Sequence, residues 1–351
     1  MTTSADQPLD TSLPAPPPQH RLSDQPLAVT DITLPGEPPQ RRLRDQPLDT
    51  GLPLEPPRHR LRNLPRDLLS LIRPGQWPKN LLVVPLALLD AQVAPPGLLT
   101  RTAWAVLLFI LASSMVYVLN DLCDRNRDRV HPTKRHRVIA SGRVGVPTAI
   151  AFGGALGLLL AGAAVYGPVD DWWPIAVYLA LNLAYSRGLK HVPLLDVFVV
   201  ATGFALRVVQ GHLAGGTQIR SWLLVSVFSL CLVFVLGKRR HEMLAGGVSH
   251  RPSLRGYSVQ YLDHLIGLCA SVTVVAFLFH LQQSVGNPYA DLAVLGSAPF
   301  ALFAMARYLQ LLHVNGGGGE PTRILLRDRA MVVNSLLWGL LLGGTLLATH
   351  H

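Results

Sequence analysis

The sequence predicts an all-α integral membrane protein of about nine transmembrane helices behind a disordered, Pro-rich N-terminal arm. Three observations carry that expectation. The 351 residues are 49% hydrophobic and only 15% charged, with a mean hydropathy of +0.32, whereas a soluble domain carries about 25% charged residues. The apolar residues fall in successive runs of bilayer-spanning length. The basic residues fall almost entirely in alternate loops between those runs.

Residues 1–65 are a different material. They contain 14 of the 28 prolines and three copies of Asp-Gln-Pro-Leu, at 6–9, 24–27 and 45–48. Each copy is followed by a Pro-Pro-x-x-Arg-Leu segment, ending at Leu22, Leu43 and Leu61. With seven basic and eight acidic residues the stretch is nearly neutral. Such short, proline-broken units bury too little apolar surface to offset chain entropy, so a disordered arm is expected. Residues 66–351 are expected to form the transmembrane domain.

Nine apolar runs follow, at roughly 80–98, 103–122, 144–166, 172–187, 193–213, 219–238, 258–282, 290–313 and 328–348. A bilayer-spanning helix needs about 20 apolar residues. Pro85 and Asp90 interrupt the first run, making it the weakest. The loops after runs 2, 4, 6 and 8 hold 17 basic residues, from Arg125 to Arg329, against only Arg101 and Arg220 in the opposite loops. The positive-inside rule therefore expects the N-terminus and those four loops in the cytoplasm.

Lys and Arg exceed Asp and Glu by 31 − 21 = 10, which raises nucleic acid as a partner. The excess sits in short clusters between apolar runs, without a basic face or aromatic-studded sheet, so no nucleic acid partner is expected. The bilayer is the expected solvent. Three cysteines, Cys123, Cys231 and Cys269, lie in or beside apolar segments and exclude a secreted disulfide scaffold.

The chemistry concentrates after run 2, in Asn120-Asp121-Leu122-Cys123-Asp124-Arg125-Asn126-Arg127-Asp128. At about 100° per residue, Asp121, Asp124 and Asp128 fall within about 60° on one helix face, with Asn120 beside them. Carboxylates that close together call for a cation among them. Mg²⁺ suits the position, because it is held by one or two carboxylates together with substrate phosphates. Lys134, Arg135 and Arg137 follow directly and suit phosphate oxygens. A solvated loop whose acids and bases pair with each other is the alternative. The emergence of the cluster from an apolar helix favours function.

Asn-Asp-x-x-Asp-x-x-x-Asp, followed by His131-Pro132 and by Arg137-x-Ile139-Ala140-Ser141-Gly142, resembles the first signature of the UbiA superfamily of intramembrane prenyltransferases. Arg73-Pro-Gly-Gln76-Trp-Pro-Lys79-Asn80, Tyr185-Ser-Arg-Gly-Leu-Lys190 with Asp196, Gly203 and Arg207, Gly237-Lys238-Arg239, and Arg307-Tyr308 through Arg327-Asp328 extend the likeness over roughly 65–350. They resemble the branch that joins phosphoribosyl pyrophosphate to a decaprenyl (polyprenyl) phosphate. The resemblance implies a UbiA-like helical bundle in a bacterial cell (inner) membrane. It also implies Mg²⁺ on Asp121, Asp124, Asn120 and Asp128, and a product that feeds cell-wall arabinan.

One departure stands out. Prenyltransferases proper usually carry a second Asp-rich motif after run 6, where residues 237–256 have one carboxylate, Glu242, and five basic residues. That fits an acceptor which is itself an anion. Lys238 and Arg239 are candidate contacts for it, although the positive-inside rule also accounts for them. Arg73, Gln76, Lys79 and Asn80 could hold either phosphate. Arg207 and Asp196 stand between a structural salt bridge and substrate contact, and the roles of Tyr185 and Lys190 stay open. A prenyltransferase with an aromatic acceptor and a transporter of an anionic solute remain alternatives, and homo-oligomerisation is left open.

Overall fold

A computed structural model of the chain describes residues 59–84, 96–246, 251–284, 290–314, 319 and 327–349. These residues belong to one compact all-helical unit. Of the predicted arm, only 59–65 are described, and they lie in α1 (His59–Leu71).

α2 (Leu98–Cys123), α3 (Arg125–Val130), α4 (Val146–Tyr166), α5 (Trp173–Arg187) and α6 (Leu195–Gly215) follow. α7 (Ser221–Leu244), α8 (Val259–Ser284), α9 (Ala290–His313) and α10 (Arg329–Thr349) complete the order. Short 3-10 segments at Pro74–Val83, Lys134–His136, Leu189–His191 and Pro252–Gly256 line the polar loops. Eight of the nine apolar runs coincide with α2 and α4–α10, while the run near 80–98 passes mostly through residues outside the described set. Among the described residues, six helices are long and apolar enough to cross a bilayer: α2, α4, α6, α7, α8 and α9. α5, at 15 residues, rises about 22 Å against a hydrocarbon core of about 30 Å.

Backbone groups in lipid have no water to bond, so helices that satisfy their own N–H and C=O groups are the expected solution. Packing then sorts them. α6 is the most enclosed span, with 67% of its apolar window buried, against 17% for α4, whose Leu158 and Leu159 face outward. α6 joins two buried clusters. One gathers Val83, Leu108, Phe109, Tyr178 and Leu206; the other gathers Val197, Ala201, Val233, Leu236, Ile266 and Leu312. Gly203 permits the α5–α6 approach: a Cβ there would lie 3.3 Å from the Tyr178 ring. A third cluster ties Leu71 of α1 to Val118, Val138 and Ile139, bracing the α2–α4 loop from beneath.

Candidate active site

The end of α2 runs almost without a break into α3. The Asp124 N–H donates to Asn120 O at 2.9 Å, and the Asp128 N–H to Asp124 O at 2.8 Å. Helical phase is therefore kept, and the three carboxylates stay on one face as their spacing predicts. Asp121 and Asp128 are buried, at 4% and 3% exposure.

Three cations stand among them. Arg73 Nη2 donates to Asp121 Oδ1 at 2.5 Å. Arg137 Nη1 bridges Asp121 Oδ1 at 3.2 Å and Asp128 Oδ2 at 2.7 Å. Lys190 Nζ donates to Asp124 Oδ1. Asn120 Oδ1 accepts the Ser186 hydroxyl, which ties α2 to α5. Arg73 reaches Asp121 from a left-handed backbone, φ 50°, a conformation that costs a non-glycine residue of order 1–3 kcal/mol and recurs at functional sites. Its guanidinium also lies 5.0 Å from the Tyr117 ring centroid.

This arrangement tests the donor set for a metal ion. Among the described residues, no three His, Cys, Asp or Glu side chains gather as a self-sufficient metal cage. The ion pairs engage one oxygen of each carboxylate, Oδ1 of Asp121 and Asp124 and Oδ2 of Asp128. The set suits a hard cation that keeps several waters and takes its remaining ligands from a phosphate, which is how Mg²⁺ is usually held. The residues fit Mg²⁺ as an open half-site.

Lys134 and Arg135 lie exposed on the same loop, and Arg135 Nε donates to His136 Nε2 at 3.3 Å. Partial burial, with Arg137 and Arg251 nearby, holds the Lys134 ammonium below the usual lysine pKa. Burial and the charges of Arg127 and Lys190 likewise depress His191. Lys79 retains solvent-accessible surface. Desolvation there, and then repulsion from Lys238, Arg207 and Arg73, lowers its pKa. Gln76 is half-buried, and its N–H donates to Arg73 O at 2.8 Å.

Five predicted residues, Asn80, Arg207, Asp196, Arg239 and Tyr185, lead elsewhere. Asn80 is buried: its Nδ2 donates to Ser113 Oγ at 3.2 Å and its Oδ1 accepts Arg207 Nε at 2.9 Å. Arg207 also donates to Gly203 O at 2.7 Å and Tyr178 Oη at 3.3 Å. It lies 4.8–5.3 Å from the ring centroids of Tyr178, Phe109 and Phe204. Asp196, fully buried, forms a separate hub. Its Oδ2 accepts Arg239 Nε at 2.8 Å, Arg251 Nη2 at 3.2 Å and Ser253 Oγ at 3.1 Å, and its Oδ1 accepts Tyr257 Oη at 2.7 Å.

Arg239 also donates to Glu242 at 2.8 Å, and Arg251 to Tyr185 Oη at 3.0 Å. Arg240 is matched by Asp263 at 2.6 Å. The loop read as rich in positive charge thus has Arg239, Arg240 and Arg251 each balanced by an acid; Lys238 is exposed, beside Lys79. Arg251, Ser253 and Tyr257 as partners of Asp196 could not be found by spacing, because they lie 55–61 residues away along the chain.

Residues 81–313 match the UbiA prenyltransferase family. A decaprenyl-phosphate phosphoribosyltransferase of Mycolicibacterium smegmatis is 33% identical over 282 residues, covering 75% of this chain and 86% of that protein. The one from Mycobacterium tuberculosis is 35% identical over 271 residues, covering 75% and 88%. The structure of a UbiA homologue from Archaeoglobus fulgidus bound to DMAPP and Mg²⁺ superposes with a TM-score of 0.61 at 16% identity, over 81% of this chain and 99% of that one. With the family matched across most of the helical unit, and relatives of this identity over three quarters of its length, the chain belongs to the UbiA prenyltransferase family and is a multi-pass membrane transferase.

Proposed function

We propose that this enzyme transfers 5-phosphoribose from phosphoribosyl pyrophosphate to decaprenyl phosphate or a similar polyprenyl phosphate, with Mg²⁺. The products are decaprenylphosphoryl-5-phosphoribose and pyrophosphate. The observation that carries the reading is the α2–α3 carboxylate face interleaved with Arg73, Arg137 and Lys190 and flanked by Lys134. The names of the relatives support it.

Asp121, Asp124 and Asp128, with Asn120 in support, would hold Mg²⁺. Bound there with the pyrophosphate, the ion would offset the negative charge that develops on the leaving group. Arg73 and Arg137 orient the carboxylates, and Lys134, Arg135 and Arg137 add positive charge beside the departing oxygens. The bond between ribose C1 and the pyrophosphate oxygen breaks, and its electron pair leaves with pyrophosphate. C1 gains oxocarbenium character, and a lipid phosphate oxygen forms the new bond from the opposite face. That oxygen is already ionised at neutral pH, so no strong general base is required.

The charge asymmetry of the loops supports nine spans, with the N-terminus and this site on the cytoplasmic side of the bacterial inner membrane. There the product would serve as a precursor for cell-wall arabinan. The test uses membranes containing the protein, radiolabelled phosphoribosyl pyrophosphate, decaprenyl phosphate and Mg²⁺. Label is expected to move into the organic phase and to stop doing so with EDTA. Failure of transfer by folded protein, together with product formation from a prenyl diphosphate and an aromatic acceptor, would replace this reading.

A further inference from the structure

The polar face carries two cationic groups of different character. On the α2–α4 loop every carboxylate is met by a cation, and Lys134 stands beside them. The second group lies at the 3-10 segment that ends in Val83. Arg207, 6% exposed inside α6, has only neutral partners among the described residues: an amide, a carbonyl, a phenol and aromatic faces. Lys79, next to Asn80, makes no hydrogen bond or ion pair among the described residues, and it stands near Arg207, Arg73 and Lys238. Among the described residues, Arg73 alone of Lys79, Arg207 and Arg73 meets a carboxylate, Asp121. A buried guanidinium without a counter-charge is costly, and an anion delivered by a ligand would relieve it.

An apolar space lies behind Gly237, the residue before Lys238. Lys238 follows Gly237, and a Cβ at Gly237 would lie 3.1 Å from Tyr308 Oη. Tyr308 is 3% exposed, its hydroxyl has no hydrogen-bond partner among the described residues, and it lines a cavity of about 310 Å³ between α7, α8, α9 and α10. Phe234, Phe277, Met305 and Trp338 line it too. That volume is at the lower end for small-molecule sites, about 300–1,000 Å³. It suits a short length of hydrocarbon and not a whole polyprenyl chain.

We infer that Lys79 heads the acceptor subsite: it receives the phosphate monoester of a polyprenyl lipid whose first isoprenoid units enter the α7–α10 cavity, while Lys134 serves the water-soluble donor. The division rests on the phosphoribosyl-transfer reading. It follows from what each group lacks. The Lys79 group has cations but almost no carboxylate to hold a metal, which suits a single phosphate recognised by positive charge alone. The Lys134 group has the carboxylates a metal-bound pyrophosphate needs. Lys238, near Lys79, follows Gly237, which packs against Tyr308 of the cavity wall.

The experiment is steady-state kinetics on purified enzyme with each substrate varied in turn. Lys79→Met is expected to raise KM for decaprenyl phosphate by about tenfold, the loss of one charge-assisted contact. KM for phosphoribosyl pyrophosphate should stay within about twofold, and Lys79→Arg should recover most of the loss. Lys134→Met should do the converse. A rise in the donor KM alone, or in both equally, with Lys79→Met would overturn the division. Native mass spectrometry of wild type and Lys79→Met with decaprenyl phosphate, against unphosphorylated polyprenol, reads binding without turnover. Weaker binding of the phosphate alone supports the subsite even if phosphoribosyl transfer proves to be the wrong reaction. Equal binding sinks it.

Discussion

Asp121 and Asp196 are both buried carboxylates at the loop ends of helices, each gripped by two arginines, yet the fold has given them opposite situations. The arginines on Asp121 remain partly open, with side-chain exposures of 29% for Arg73 and 31% for Arg137. On Asp196, Arg239 is 5% exposed and Arg251 24%, and Ser253 and Tyr257 donate to it as well. Each region has a non-glycine residue of positive φ, Arg73 at 50° and Leu194 at 65°, and in the Asp196 hub the Tyr257 hydroxyl accepts the Leu194 N–H at 2.6 Å. Charge content is alike in the two regions; the number of donors on each carboxylate differs. On the proposed reading the first exchanges an arginine for a metal-bound phosphate, while the second holds helices together.

The largest expected effect would break this comparison if it failed. Asp121→Asn should lower transfer by about a thousandfold, with helical content and melting temperature in detergent close to wild type. EDTA on wild-type enzyme should do the same. Near-normal turnover by Asp121→Asn would remove the metal site.

The Asp196 region should respond in stability instead. Asp196→Ala strands two arginines, and breaking a buried pair this way costs about 3–5 kcal/mol. A thermal melt should therefore collapse, and whatever folded enzyme remains should show ordinary KM values. A selective rise in one KM with an unchanged melt would make Asp196 a substrate contact.

Tyr257→Phe sharpens the same point at smaller scale. It removes one hydrogen bond to a charged group, worth about 1.5–3 kcal/mol, and should shift the melt downward without changing either KM. Burial and the bond to Asp196 hold the Tyr257 hydroxyl pKa well above the usual tyrosine value. Its contribution should therefore be fully present below the ordinary tyrosine pKa of 10.0, fall as pH rises above it because the unfolded chain ionises first, and be gone once pH has passed the raised folded value.

The smallest expected effect is electrostatic. Burial, with neighbouring cations, lowers the pKa of both Lys79 and Lys134 from the ordinary 10.5. In the window between the lowered values and 10.5 the unfolded chain binds more protons, so these two groups make the fold more stable as pH rises through it. A bound phosphate favours the charged form and pulls the pKa back up. Substrate binding should thus take up protons in that window and weaken with rising pH. Calorimetry in two buffers of different ionisation enthalpy would show it, and proton release on binding would contradict it.

Much of the candidate site was legible beforehand because it is local. Asn120, Asp121, Asp124 and Asp128 share a face through helical geometry alone, and α2 and α3 keep that phase. The partners were not legible. Lys190 meets Asp124 across 66 residues, and Arg207 meets Asn80 across 127. The α7–α8 loop shows the same limit: its basic residues suggested an anion site, but Arg239, Arg240 and Arg251 find Asp196, Glu242 and Asp263 instead.

By itself, then, the sequence determined eight of the apolar helices, the loops between them and the acidic helix face. Backbone hydrogen bonds in lipid must close within each helix, and side-chain phase is set by 3.6 residues per turn. Only the tertiary structure decided which charges neutralise each other and which stay available. That depends on which helices become neighbours, and the long basic side chains of this protein can reach several acids until packing selects one.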